Sequence, residues 1–170
     1  MVGTLRIPCF LVHNNVRVDS RSILHDTLDY VEKELLELFK KHPQVAGLEH
    51  ISCEDIEKII FTCATELEFW VKSPREDAPI EALSSSQMMQ EQYWQRCRGN
   101  VRTALEQTVE MLEAYGLGPE MGHKECGGVR GQIDDNGHMT HVMEQLEVDW
   151  KYSYGVQTAD NELLARIIVK

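Results

Sequence analysis

Glu66 and Glu68 stand two positions apart in Thr65-Glu66-Leu67-Glu68-Phe69-Trp70, a run otherwise made of strand-forming residues. Glu120 and Glu125 bracket Pro119-Glu120-Met121-Gly122-His123-Lys124-Glu125, and Glu147 sits in Glu144-Gln145-Leu146-Glu147-Val148-Asp149. Carboxylates inside strand-like sequence are costly to bury unless positive charge balances them. Several converging on one side of a sheet would make a hard, oxygen-rich site of the kind Mg²⁺ or Mn²⁺ prefers. The chemistry such a site serves best is that of phosphate groups.

The elements that must position these residues can be read from periodicity. Ile59 to Val71 reads as a strand. Because side chains alternate, Phe61, Cys63, Thr65, Leu67 and Phe69 share one face, and Glu66, Glu68 and Trp70 the other. The segments around Glu120–Val129 and Met139–Tyr152 read as strands joined through Asp134-Asp135-Asn136-Gly137. Asn-Gly between strand-like runs is the strongest short hairpin signal. Arg6 to His13 reads as a further strand, with Asn14-Asn15 turning the chain.

Three helices complete the set. One begins with Asp19 or Ser20 as cap and ends near Lys41, with Leu24, Leu28, Val31, Leu35 and Leu38 as its apolar stripe. A second runs from Ser84-Ser85-Ser86 to about Tyr115, carrying Met89, Tyr93, Cys97, Val101, Leu105 and Leu112 on one side. Gly99 marks a bend or a close contact, and Gly116 the stop. A third starts near Thr158 and passes through Leu163, Leu164, Ile167 and Ile168. The order predicts an α+β fold, a largely antiparallel sheet with helices packed on one side, in a single domain spanning 1–170 with no repeat or evident boundary.

Composition narrows the function. Lys plus Arg total 17 against 28 Asp plus Glu, a net charge of −11. That balance argues against general nucleic-acid binding and against docking on anionic lipid, though not against one basic pocket for a nucleotide. No apolar run approaches the roughly 20 residues of a membrane helix. The start lacks a secretory pattern. The five cysteines, Cys9, Cys53, Cys63, Cys97 and Cys126, are scattered without a CxxC, so free thiols in a reducing cytoplasm are expected.

In this setting the ordered motifs resemble the glutamine synthetase family. Thr65-Glu66-Leu67-Glu68-Phe69 is similar to that family's E-x-E-F/Y strand. Tyr115 to Glu125 is similar to its segment ending in His-x-Glu, Gln145-Leu146-Glu147-Val148-Asp149 to its Gln-x-Glu strand, and Ala159-Asp160-Asn161 to the start of the following helix. The resemblance covers Ile59 to Lys170. Lys124 stands where many members have His, and Gly127 to Met143 forms an inserted hairpin where the family has a short link.

The resemblance implies an ATP-dependent glutamate–ammonia ligase that forms glutamine through a glutamyl phosphate, using two Mg²⁺ or Mn²⁺ ions. By motif position, Glu68, Glu125 and Glu147 would ligate the first metal and Glu66 the second. Glu120 and His123 would lie near the nucleotide. Glutamate and ammonia would be the substrates, and a homo-oligomer the assembly of the full-length parent. The family's Asn-Gly-Ser-Gly segment, its further metal-binding His, its substrate-binding arginines and its small N-terminal domain have no counterpart here. The chain is therefore expected to be part of a catalytic domain, inactive alone.

Two other functions remain open at this point: a glutamate–polyamine ligase of the same scaffold, and a non-catalytic metal-binding or assembly module. Plainer roles also stand beside the functional ones. Glu66 and Glu68 could line a solvated sheet face, and His123 could be a hydrogen-bonded structural histidine. His138 and His141 read as a solvated hairpin. Trp70, Trp94 and Trp150 read as core or interface packing, Met88-Met89 as core filler, and Gly127-Gly128 as a turn without a phosphate loop.

Overall fold

The computed structural model describes residues 3–47, 50, 53–78, 93 and 95–170. The architecture is mixed α and β with antiparallel pairing throughout. The chain divides into two compact units: Met1–Cys63 with Tyr152–Asp160, and Ala64–Lys151 with Asn161–Lys170.

In the first unit, β1 (Val12–His13) and β2 (Val16–Arg17) form a minimal hairpin. Asn14 and Asn15 both take positive φ (49° and 62°) at its turn, and asparagine tolerates that conformation best after glycine. The strand expected over Arg6–His13 is confined to these two residues. Pro8 has no N–H to give a ladder. The Leu11 N–H is taken by the Asp19 carboxylate (2.8 Å) instead of by a strand.

Helix α1 (Ser20–Lys41) starts where expected, with Asp19 accepting the Ser22 N–H at 2.9 Å, and ends in Lys40 and Lys41, suited to its negative end. Its buried face is rotated from the predicted stripe. Val31 and Leu38 are exposed, while Ser22, Leu28 and Glu32 are buried. Glu32 is admitted because its carboxylate accepts the Phe61 N–H (2.8 Å). A forked pair from Arg21 to Asp160 (2.8 Å on both arms) ties α1 to the start of the last helix.

The single strand expected over Ile59–Val71 is two. β3 (Thr62–Cys63) pairs with β7 (Ser153–Tyr154), whereas β4 (Glu66–Pro74) pairs with β6 (Met139–Trp150). Ala64 and Thr65 lie between the strands, where the chain changes partner. β4 then keeps the predicted alternation, with Glu66, Glu68 and Trp70 outward and Leu67, Phe69 and Val71 half-buried.

In the second unit, β5 (Pro119–Ile133) and β6 form the long hairpin foreseen at Asn136-Gly137, and the sheet order is β4-β6-β5. Helix α2 (Gly99–Ala114) is shorter than expected. Residues 95–98 are not helical, and Gly99 starts the helix at φ 54° instead of bending it. Residues 79–92 and 94, with the predicted first turns, Met88-Met89 and Trp94, lie outside the described residues. At the far end Gly116 (φ 81°) gives its N–H to the Glu113 carbonyl, and Leu117 gives its own to Leu112. That pattern is a Schellman stop.

Helix α3 (Gly155–Val169) begins three residues before Thr158, whose buried hydroxyl donates to the Cys63 carbonyl at 2.7 Å. The core of the second unit joins Val101, Leu105 and Leu112 of α2, Ala165 of α3, and Leu146, Val148 and Trp150 of β6, with Leu67, Phe69 and Val71 against them. Every one of these strand residues faces the same side of the sheet. Among the described residues α2 and α3 pack on one face, and the other carries Glu66, Glu68 and their neighbours.

Candidate metal centre

Register decides which residues meet on the open face. Glu68 stands opposite Glu147, and Glu147 opposite His123, so one row crosses all three strands. The next row sets Glu66 against Asp149, and Asp149 against Met121. Glu125 has the parity of His123 and lies where the register slips between Lys124 and Val129. Such a bulge leaves extra residues unpaired and re-aims them. Here it sends Glu125 to the same cluster.

His123, Glu125 and Glu147 offer ligand atoms that all lie within 4.8 Å of one another. His123 Nδ1 is 2.7 Å from the Lys124 carbonyl oxygen. A carbonyl only accepts, so Nδ1 is the donor of this bond and Nε2 is the ring nitrogen turned toward Glu147. Nε2 lies 3.6 Å from Glu147 Oε2, and Glu125 Oε2 is 4.0 Å from Nδ1. The ring of Tyr93 covers the histidine at 4.3 Å between centroids. Burial first, then the charge of Glu147 and Glu125, pushes the Tyr93 phenol above its ordinary pKa.

The charge of the cluster tests whether it suits a hard cation. A hydrogen bond with Glu125 is the largest reason that Glu147 is pushed up to about 8, followed by burial and by a hydrogen bond with Glu66. Glu125 is held below the usual carboxylate range, chiefly by the same bond to Glu147. Like charges in contact push their pKa values apart in this way. A divalent cation would relieve that repulsion. The donor set, two carboxylates and an imidazole, is compatible with Mn²⁺ and, with more water ligands, Mg²⁺.

The sign of these shifts gives a testable pH dependence. Glu147 has a folded pKa above its ordinary 4.5. Its contribution to stability is full below 4.5 and is lost as pH rises through about 8. Glu125, shifted the other way, opposes this only when pH falls below its ordinary range. Metal-free protein is therefore expected to melt at progressively lower temperature from pH 5 to about 8, the upper limit being the Glu147 value. Saturating Mn²⁺ or Glu147→Gln should flatten the slope. Thermal melts in chelator across this range decide it, and a flat or rising wild-type profile would mean that the two carboxyls are not coupled.

The sequence-derived residues divide accordingly. Glu125, Glu147 and His123 come together. Glu66 lies close enough to Glu147 to bond its carboxyl. Glu68 lies in the row, but its carboxylate is held by Gln145 Nε2 at 2.8 Å. Glu120 does not join them. A second slip, between Pro119 and Met121, leaves it exposed on the wall of a groove of about 1120 Å³ between β5 and α2. Arg96, Arg102, Tyr93 and His123 line the same groove. His123 thus borders both the cluster and the groove.

Several residues of the site were not legible as functional. Asp149 reads in the sequence as surface alternation, yet its Oδ1 accepts the Met121 N–H across the slip. Gly127 was read as a turn and instead lies in the bulge. Trp70, which the sequence reads as core or interface packing, is not in the core: it lies on the face of Glu66 and Glu68, with the Arg130 guanidinium 4.6 Å over its ring. Trp150 is core as expected, at 1% exposure. His138 is solvated on the hairpin as expected, whereas His141 is half-buried with its Nδ1 3.0 Å from the Thr140 hydroxyl.

Among the described residues no helix is long and apolar enough to cross a membrane. Comparison with protein families, with curated proteins and with solved structures finds no match to this chain.

Proposed function

We propose that this chain carries the metal-binding part of the active site of a glutamine synthetase-type ligase, which joins glutamate and ammonia at the expense of ATP. The observation that carries the reading is the convergence of Glu125, Glu147 and His123 on one sheet face, with Glu66 and Glu68 beside them. These are the motif positions at which the sequence resemblance asks for metal and nucleotide ligands. A plain solvated sheet face has no reason to bring two carboxylates and an imidazole within 4.8 Å of one another.

In this reading Glu125, Glu147 and Glu68 hold one divalent ion and Glu66 serves a second. The ions supply positive charge to transferring phosphate oxygens and to the substrate carboxylate. His123 stands between the cluster and the groove, where its imidazole orients phosphate oxygens, and Glu120 lines the nucleotide side. Arg96 and Arg102 line that groove together with Glu106, Glu110, Glu113 and Glu120, and Arg102 is paired with Glu106 at 2.7 Å. Glutamate and ammonia are the proposed substrates and a cytoplasmic homo-oligomer the proposed setting.

Titrating ADP into the protein with and without Mn²⁺ tests this function. Binding is expected to require the metal and to weaken at least about tenfold in His123→Ala, the usual scale for losing a supporting ligand contact. Metal binding with no effect on nucleotide affinity would favour a non-catalytic metal module instead.

A further inference from the structure

We infer that Gln145 is a positioning residue for the metal centre: it fixes the carboxylate of Glu68, the residue opposite Glu147 in register, at the edge of the His123–Glu125–Glu147 cluster, and the missing side chain at Gly127 leaves room for its amide. The inference rests on the metal-site reading above and extends it to a residue that touches no proposed ligand atom of the His123–Glu125–Glu147 cluster.

Three observations converge on it. The Gln145 amide Nε2 donates to Glu68 Oε2 at 2.8 Å. Gln145 lies two positions before Glu147 on β6, on the same face, and opposite Trp70 in the register. Its amide is therefore diagonal to Glu68, within reach of its carboxylate. A side chain on residue 127 could not coexist with this arrangement. A Cβ there would lie 1.7 Å from Gln145 Oε1 and 2.9 Å from Trp70 Cζ2. Position 127 is not in a positive-φ conformation, so backbone geometry does not demand glycine. The space a side chain would need is taken by the Gln145 amide and the Trp70 ring, so a substitution there displaces the amide first.

The chemistry explains why an amide stands here. Glu68 and Glu147 are directly opposite on neighbouring strands, and like charges so placed repel. Left to itself, Glu68 would swing into solvent. A lysine or arginine at 145 would hold it but would also neutralise the charge a cation needs. A neutral amide donor binds one oxygen, adds no charge, and leaves the other oxygen for a cation. Such supporting hydrogen bonds fix a ligand's orientation and set metal affinity.

The test measures Mn²⁺ affinity by loss of the free-ion EPR signal in wild type, Gln145→Met, Glu68→Gln and the double variant. Methionine keeps the length of the side chain and removes the donor. Gln145→Met is expected to weaken binding about tenfold, to leave metal-free melting near wild type, and to add nothing in the Glu68→Gln background. Gly127→Ala, which displaces the same amide from the other side, should reproduce the loss and stands in should Gln145→Met fold poorly. Wild-type affinity in either variant overturns the inference. So does an equal loss in the Glu68→Gln background, which would mean that Gln145 acts through something other than Glu68. Absence of Mn²⁺ binding by wild type would instead sink the metal-site reading itself, and the two failures are thereby told apart.

Discussion

Lys124→Met is expected to destabilise the second unit by about 3–5 kcal/mol, the range found when one partner of a buried ion pair is removed. Lys124 faces the helix-covered side of the sheet, opposite in parity to His123 and Glu125. Its side chain is 5% exposed, and its Nζ lies 2.5 Å from Oε2 of Glu144, itself 4% exposed. Glu144 Oε2 makes no directed hydrogen bond, so the lysine's charge is what balances it. Methionine fills the same volume, and the penalty is then electrostatic: an uncompensated carboxylate in the core. The double variant Lys124→Met/Glu144→Met should recover most of the loss, because apolar replacement of an intact buried pair is close to neutral or stabilising. Urea unfolding of the four proteins reads this directly. A Lys124→Met loss below about 1 kcal/mol, typical of a solvated pair, would mean that the pair is hydrated. The prediction also separates Lys124 from the site. Although it sits between two metal-site residues in sequence, Mn²⁺ binding by the folded Lys124→Met fraction should persist.

This division of neighbours between two faces is what sequence reading captures best where strands are regular. The parity of Glu66, Glu68 and Trp70 against Leu67 and Phe69 is a property of any pleated strand, and it holds. Gly137 and Gly116 were legible for the same kind of reason, since few other residues accept their positive φ. What was not legible depended on pairing. The slip between Lys124 and Val129 aims Glu125, and the slip at Pro119/Met121 removes Glu120 from the cluster. Parity counting along β5 shows that a bulge is required for both to face one site, but not where it falls. The role of Gln145 needs knowledge of a glycine in the bulge of the neighbouring strand, and Asp149 looks like any alternating surface acid until its backbone partner is known. Tyr93 matched a helical stripe, yet its ring lies on His123. The N-terminal strand failed because Asp19, a cap for the helix, also captures the Leu11 N–H that a ladder would have used.

Glu147→Gln should remove metal stabilisation while making the metal-free protein no less stable at pH 8. Both halves follow from its place in the sheet. Glu147 is the only residue opposite Glu68 on one side and His123 on the other in the described register, and it is 7% exposed. Its carboxyl meets those of Glu125 and Glu66. Without it the remaining carboxylates lose their common neighbour, and Mn²⁺ affinity is expected to fall about 100-fold or more, the upper end for supporting residues and a lower bound for a central ligand. Mass action converts this into melting behaviour. At a Mn²⁺ concentration 100 times the wild-type Kd, the wild type gains about 2.7 kcal/mol, whereas a variant bound 100-fold more weakly gains only about 0.4 kcal/mol. In chelator the order is reversed or level, because glutamine takes part in the shared hydrogen bonds without a charge to repel Glu125. Glu120→Gln is the control, and it should leave the Mn²⁺ response intact, since Glu120 lies exposed outside the cluster. An equal loss in both variants would point to diffuse attraction of Mn²⁺ by the acidic surface. A full response retained in Glu147→Gln would move the metal away from this sheet face altogether. Only a response lost in Glu147→Gln and kept in Glu120→Gln fits a site built at the crossing of β4, β5 and β6.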